Sequence, residues 1–106
     1  MATTQFAFGL VPNGLAPAMR GADTKNTSVE TKTPSGTTSA TTAAASTTTG
    51  NNQAPICRIA TDTLVYVSFG SAPNAQTDTV RFMVPAGGIE YFYVNPGDKA
   101  AVVTAP

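Results

Sequence analysis

Residues 80–98 read VRFMVPAGGIEYFYVNPGD, and the fold class turns on this stretch. Val80, Phe82 and Val84 alternate with Arg81 and Met83, the period-two pattern of a half-exposed strand. Pro85 ends the run, because proline cannot donate to a ladder. Gly87-Gly88 permits a tight reversal into a second strand from Ile89 to Val94. Within it Ile89, Tyr91 and Tyr93 share one face, and Glu90 and Phe92 share the other. Asn95-Pro96-Gly97-Asp98 is the strongest turn in the chain: Pro96 presets φ at the first central position, and Gly97 accepts positive φ at the second.

Working outward, Lys99 to Thr104 supplies a further strand, and Gly70 to Asp78 reads as a loop rich in Gly, Ser, Pro and Asn. Upstream, Leu64 to Phe69 places Leu64 and Tyr66 on one face and Val65, Val67 and Phe69 on the other, so this strand is expected to be covered on both sides. Thr61-Asp62-Thr63 reads as a turn joining it to a short strand from Ile56 to Ala60. Five short strands at such spacing, with no helical periodicity, predict an all-β fold: a small β-sandwich or open barrel over residues ~55–106, preceded by an extended N-terminal arm.

The arm divides in two. Residues 1–22 carry Phe6, Phe8 and Leu10 in strict alternation, a short strand able to pack on its own domain or on a neighbour's, followed by Val11-Pro12-Asn13-Gly14 as a turn. Leu15 to Met19 is interrupted by Pro17 and does not read as a helix. Residues 23–54 form a linker rich in Thr, Ser and Ala. No large apolar residue occurs between Val29 and Ile56, so this part has nothing with which to build a core. In isolation the stretch reads as a flexible linker; threonine is β-branched and suits extended backbone, so the alternative is a strand-like ribbon laid across a neighbouring subunit.

Charge and residue inventory then narrow the chemistry. Net charge is zero and only 11% of residues are charged, so there is no basic field for nucleic acid or an anionic membrane surface. No apolar run approaches the ~20 residues of a membrane span, and Met1 to Leu10 lacks the pattern of a secretory signal. The chain has no histidine and one cysteine, Cys57, so the commonest general base and a multi-cysteine metal site are both missing. Of the carboxylates, Asp62 and Asp98 sit in turns where they bond backbone amides. Asp78 has no spacing suited to Ca²⁺ ligation, and Glu90 is a strand charge able to pair with Arg81 or Arg58. Cys57, between apolar neighbours, reads as a buried small residue. No catalytic, metal or cofactor-binding residue is assigned, and the chain is expected not to be an enzyme. Tyr91 and Tyr93 are expected at a subunit contact, where tyrosine buries a large rigid area while its hydroxyl keeps a hydrogen bond.

Three stretches carry a resemblance: Pro55-Ile56-Cys57-Arg58-Ile59, the segment Tyr66 to Pro73, and Glu90-Tyr91-Phe92 followed by Val94 to Lys99. They resemble small capsid-associated virion proteins of tailed bacteriophages. The likeness covers about half the chain and implies a head-decoration or cement subunit on the capsid exterior, made in the host cytoplasm. Its partners would be the major capsid protein and copies of itself, as a homo-oligomer on the particle, without nucleic acid or membrane. In that setting Phe6, Phe8 and Leu10 are expected as anchors on a neighbour, and Arg81, Glu90, Tyr91 and Tyr93 as interface residues. The alternative expectation is a head or tail fibre or adhesin-type module on a flexible stalk, binding through the loops Ser71 to Thr79 and Ala86 to Gly88.

Overall fold

The computed structural model describes residues 2–12, 28–46 and 53–105. They form a β-sandwich of two antiparallel four-stranded sheets, the all-β architecture expected from the strand spacing. The strands are β1 (Thr4–Pro12), β2 (Ser28–Lys32), β3 (Ser39–Ala40), β4 (Gln53–Thr61), β5 (Val65–Gly70), β6 (Phe82–Val84), β7 (Ile89–Tyr93) and β8 (Lys99–Thr104). The first sheet has the order β2-β1-β4-β7 and the second β3-β8-β5-β6.

Alternation along the strands sets what lies between the sheets. From the first sheet come Phe6, Phe8, Cys57 and Ile59; from the second come Val65, Val67, Val84, Ala100 and Val102. Phe6 and Phe8 are the largest fully buried side chains. β1 is thus an interior strand: it pairs with β4 over its whole length, from Thr4 opposite Thr61 to Pro12 opposite Gln53, and with β2 on its other side. Val11 and Pro12, expected in a turn, belong to the strand; Asn13, Gly14 and the stretch from Leu15 to Met19 lie outside the described residues.

The second sheet is covered on its outer face as well, as the pattern of β5 predicts. Tyr66 packs there with Ala75, Ala101 and Val103, beneath the loop that joins β5 to β6. The Arg81 guanidinium stacks 4.5 Å above the Tyr66 ring and donates to the Ala75 carbonyl at 3.2 Å.

The turns behave as their residues dictate. Gly87 and Gly97 take φ of 77° and 84°, a region open mainly to glycine. Asp98 N–H donates to the Asn95 carbonyl at 3.0 Å, and the Asp98 carboxylate accepts from Asn95 N–H at 3.0 Å.

Two strands, β2 and β3, have no counterpart in the sequence reading. Both are edge strands of the polar stretch, and their pairing comes from neighbours already in place. Ser28 to Lys32 aligns against β1, and residues 35–45 run antiparallel to β8, with Thr104 N–H bonded to Ser35 O and Thr41 N–H to Ala100 O. Of the Thr-rich part, residues 35–45 thus lie extended against this same chain, not across a neighbour.

Glu30 clasps the two layers at this rim. Its carboxylate accepts the N–H groups of Thr42 (2.9 and 3.1 Å) and Ala43 (2.9 Å) and pairs with Lys32 at 3.1 Å. Burial by itself would raise its pKa. The bonds from Ala43 and Thr42, together with Lys32, outweigh that effect and hold it below the ordinary carboxylate value.

Two outcomes follow from these contacts. Phe8→Ala should lose about 3–5 kcal/mol, a large part of the roughly 5–15 kcal/mol that a domain of this size possesses, read as a lower midpoint in urea unfolding. Because the folded pKa of Glu30 lies below its unfolded value, its contribution is complete above the unfolded value and is lost as pH falls through the folded one. A Glu30→Gln variant should therefore show a flatter loss of stability across the acidic range than the wild type, measured by urea midpoints in a pH series.

Candidate interaction surface

The sequence places the acidic groups in separate settings, and the structure keeps them apart. Asp62 accepts the Thr3 N–H at 2.8 Å and Asp78 accepts the Asn74 N–H at 3.0 Å, so both serve backbone amides, as Asp98 does. For Asp62 the amide is that of Thr3, just before β1, a tertiary contact and not the local turn bond that its sequence context suggests. Among the described residues no three His, Cys, Asp or Glu side chains cluster closely enough to hold a metal ion. No helix among them is long and apolar enough to cross a membrane.

Cys57 lies fully buried in the core opposite Phe8, and burial pushes its thiol up to about 12 against a smaller opposing effect of the bond with the Ala7 backbone. Ser68, under the outer loop of the second sheet, is buried, and its hydroxyl has no hydrogen-bond partner.

What the fold does assemble is an apolar rim. β7 is the edge of the first sheet and β6 the edge of the second, and the short connection Pro85 to Gly88 brings them to the same side of the sandwich. The gap between these edges is stopped by three tilted phenyl rings, Phe69, Phe82 and Phe92, with centroids 4.9 to 6.3 Å apart. Around that plug the surface stays apolar: Val80 is 66% exposed, Met83 53%, Ile89 50%, Tyr93 55% and Tyr91 41%. This rim is the opposite of the Glu30 rim, where polar bonds close the sandwich.

The residues singled out from the sequence divide between core and surface. Phe6 and Phe8 are fully buried and Leu10 is half-buried. The expectation that they anchor on a neighbour is corrected for the two phenylalanines, because β1 is an interior strand and both rings fill this chain's own core. Tyr91 and Tyr93 are exposed on the β7 edge. Arg81 is engaged with Tyr66 and does not reach Glu90. Glu90 is exposed and pairs with neither arginine; among the described residues the ion pair is Glu30 with Lys32. Met83 and Ile89 belong to the surface although sequence reading did not single them out. The signal for Ile89 was available, since it shares the face of Tyr91 and Tyr93.

The loops Ser71 to Thr79 and Ala86 to Gly88 line shallow grooves of about 410 and 390 Å³ respectively. They sit at opposite ends of the sandwich: the first follows the end of β5 at Gly70, whereas the second follows Val84, which pairs with Val65 at the start of β5. The chain matches no family model, no curated protein and no solved structure.

The environment of Cys57 makes a direct prediction. In the folded protein its reaction with a disulfide reagent at mildly alkaline pH should be slower by orders of magnitude than in urea, since the reactive thiolate is scarce and the sulfur is covered. Rapid labelling under native conditions would contradict this placement.

Proposed function

We propose that this chain is a non-enzymatic virion structural protein of the decoration or cement type, which binds the shell of a tailed-phage head through the β6–β7 rim. The observation that carries the proposal is the set of large apolar side chains left exposed along the neighbouring β6 and β7 edges, on a chain of zero net charge. Surfaces of that kind favour protein contacts over nucleic acid or anionic membranes. Aromatic side chains at the centre of such a patch supply the large buried area on which stable interfaces depend. The resemblance of Pro55–Ile59, Tyr66–Pro73 and Glu90–Lys99 to small virion proteins supplies the context of a capsid exterior.

The mechanism is added contact area. A subunit seated over the boundary between capsid proteins must lose its bonds to both before either can move, so two modest contacts act with raised effective concentration. Because β1 belongs to the sandwich, this role falls to the rim and not to Phe6 and Phe8. The fibre-type reading is less well supported, since its two loops face away from each other at opposite ends.

The test is binding to purified heads. The pair Met83→Lys with Ile89→Lys changes two exposed residues and should leave the fold intact while weakening attachment by on the order of tenfold or more. Unchanged attachment, or a location in purified particles confined to a few copies on a tail, would sink the proposal.

A further inference from the structure

An edge strand is where a sheet recruits another chain, because its outward N–H and C=O groups have no partner in the ladder. Among the described residues the sandwich has four such edges. β2 is charged, with Glu30 and Lys32 paired on it. β3 has two residues, and β6 has three and stops at Pro85. β7 differs from all of them: five residues, Ile-Glu-Tyr-Phe-Tyr, with neither lysine nor proline and a one-to-one register with β4 that leaves no bulge.

The backbone of β7 also points the right way. Val94 N–H bonds to Pro55 O, and Gly88 O accepts from Thr61 N–H, so the even-numbered residues turn their polar groups toward β4. Ile89 and Tyr91 therefore turn theirs to the open side, in the alternation of an antiparallel ladder.

We propose that β7 pairs antiparallel with β7 of a second copy of this chain across a two-fold axis at Tyr91, fusing the two first sheets into one continuous sheet. The contact is self-complementary, as a two-fold interface requires. In this register the two Tyr91 residues exchange N–H···O=C bonds, and Glu90 of each chain lies opposite Phe92 of the other. A register that paired Ile89 with Tyr91 would set the two Glu90 carboxylates face to face, a destabilising like-charge pair. The chain's net charge of zero leaves no long-range repulsion between copies. A five-residue strand spans only about 17 Å, short of the roughly 800 Å² per partner of a standard interface. Phe82, Met83 and Val80 beside it extend the apolar contact, and the dimer is reversible and concentration-dependent. The pairing does not rest on the proposed attachment to a shell.

The buried Cys57 is the only cysteine, so an added one reports position. Tyr91→Cys puts two cysteines across the axis with Cα atoms about 5.5 Å apart, within disulfide reach. Ile89→Cys sets them on the order of 14 Å apart, out of reach. Mild oxidation of the full chain should link Tyr91→Cys into covalent dimers on the order of tenfold faster than Ile89→Cys. Sedimentation equilibrium should show dimers for the wild type, and fewer for Tyr91→Pro, which removes an edge N–H without touching the β4 ladder. A wild type that stays monomeric at every concentration, or equal cross-linking of the two cysteine variants, would overturn the pairing. Loss of head binding with dimerisation intact would strike the shell reading alone.

Discussion

The structure depends on the burial of Phe6 and Phe8 between the two sheets. Each ring removes a large apolar area from water, and no residue from the polar stretch that follows supplies a comparable group. Their strand is bonded on both sides, to β2 and to β4, so removing it would open two ladders as well as the core. The Asp62 carboxylate holding Thr3 and the hydroxyl contact of Thr4 with Thr61 at 2.9 Å secure the start of that strand. Strand β1 therefore belongs to the folding unit.

A sandwich has two open sides where its edge strands meet, and this chain treats them differently. On one side Glu30 bonds the amides of Thr42 and Ala43, so the polar groups of the residues that close the gap find partners within the chain. On the other side the gap is filled by phenyl rings, which need no partners but extend apolar surface outward through Phe82. Low charge removes the usual protection of such an edge. The same physical choice that stops the gap thus creates the surface on which both the shell contact and the self-pairing are argued.

The outer faces are equally unlike. The second sheet is roofed by its own loop, with Ala75 and Arg81 lying over Tyr66 and Thr38 holding Ala75 N–H at 2.9 Å. That roof spends Arg81 internally and leaves the unbonded Ser68 hydroxyl beneath it. In the first sheet Ile89, Tyr91 and Tyr93 are exposed at the β7 edge, while Val29 on β2 is the exposed apolar residue of the opposite edge.

Sequence alone determined the all-β class, the turns at Gly87 and Gly97 and the presence of strands β4 to β8, though not their bounds, since Val80 and Arg81 lie outside β6; local alternation and glycine or proline punctuation are decided within a few residues. It also determined the separation of Tyr91 and Tyr93 from Phe92, which follows from the two-residue period. Only the tertiary structure decided that Phe6 and Phe8 fill this chain's own core, since the same alternation would bury them equally well against a neighbour. Likewise β2 and β3 exist because β1 and β8 offer them ladders, and Ser28 to Lys32 carries no apolar period of its own. The rim was the least legible feature: it joins the edges of different sheets, and edge adjacency depends on strand order, which a one-dimensional pattern does not contain.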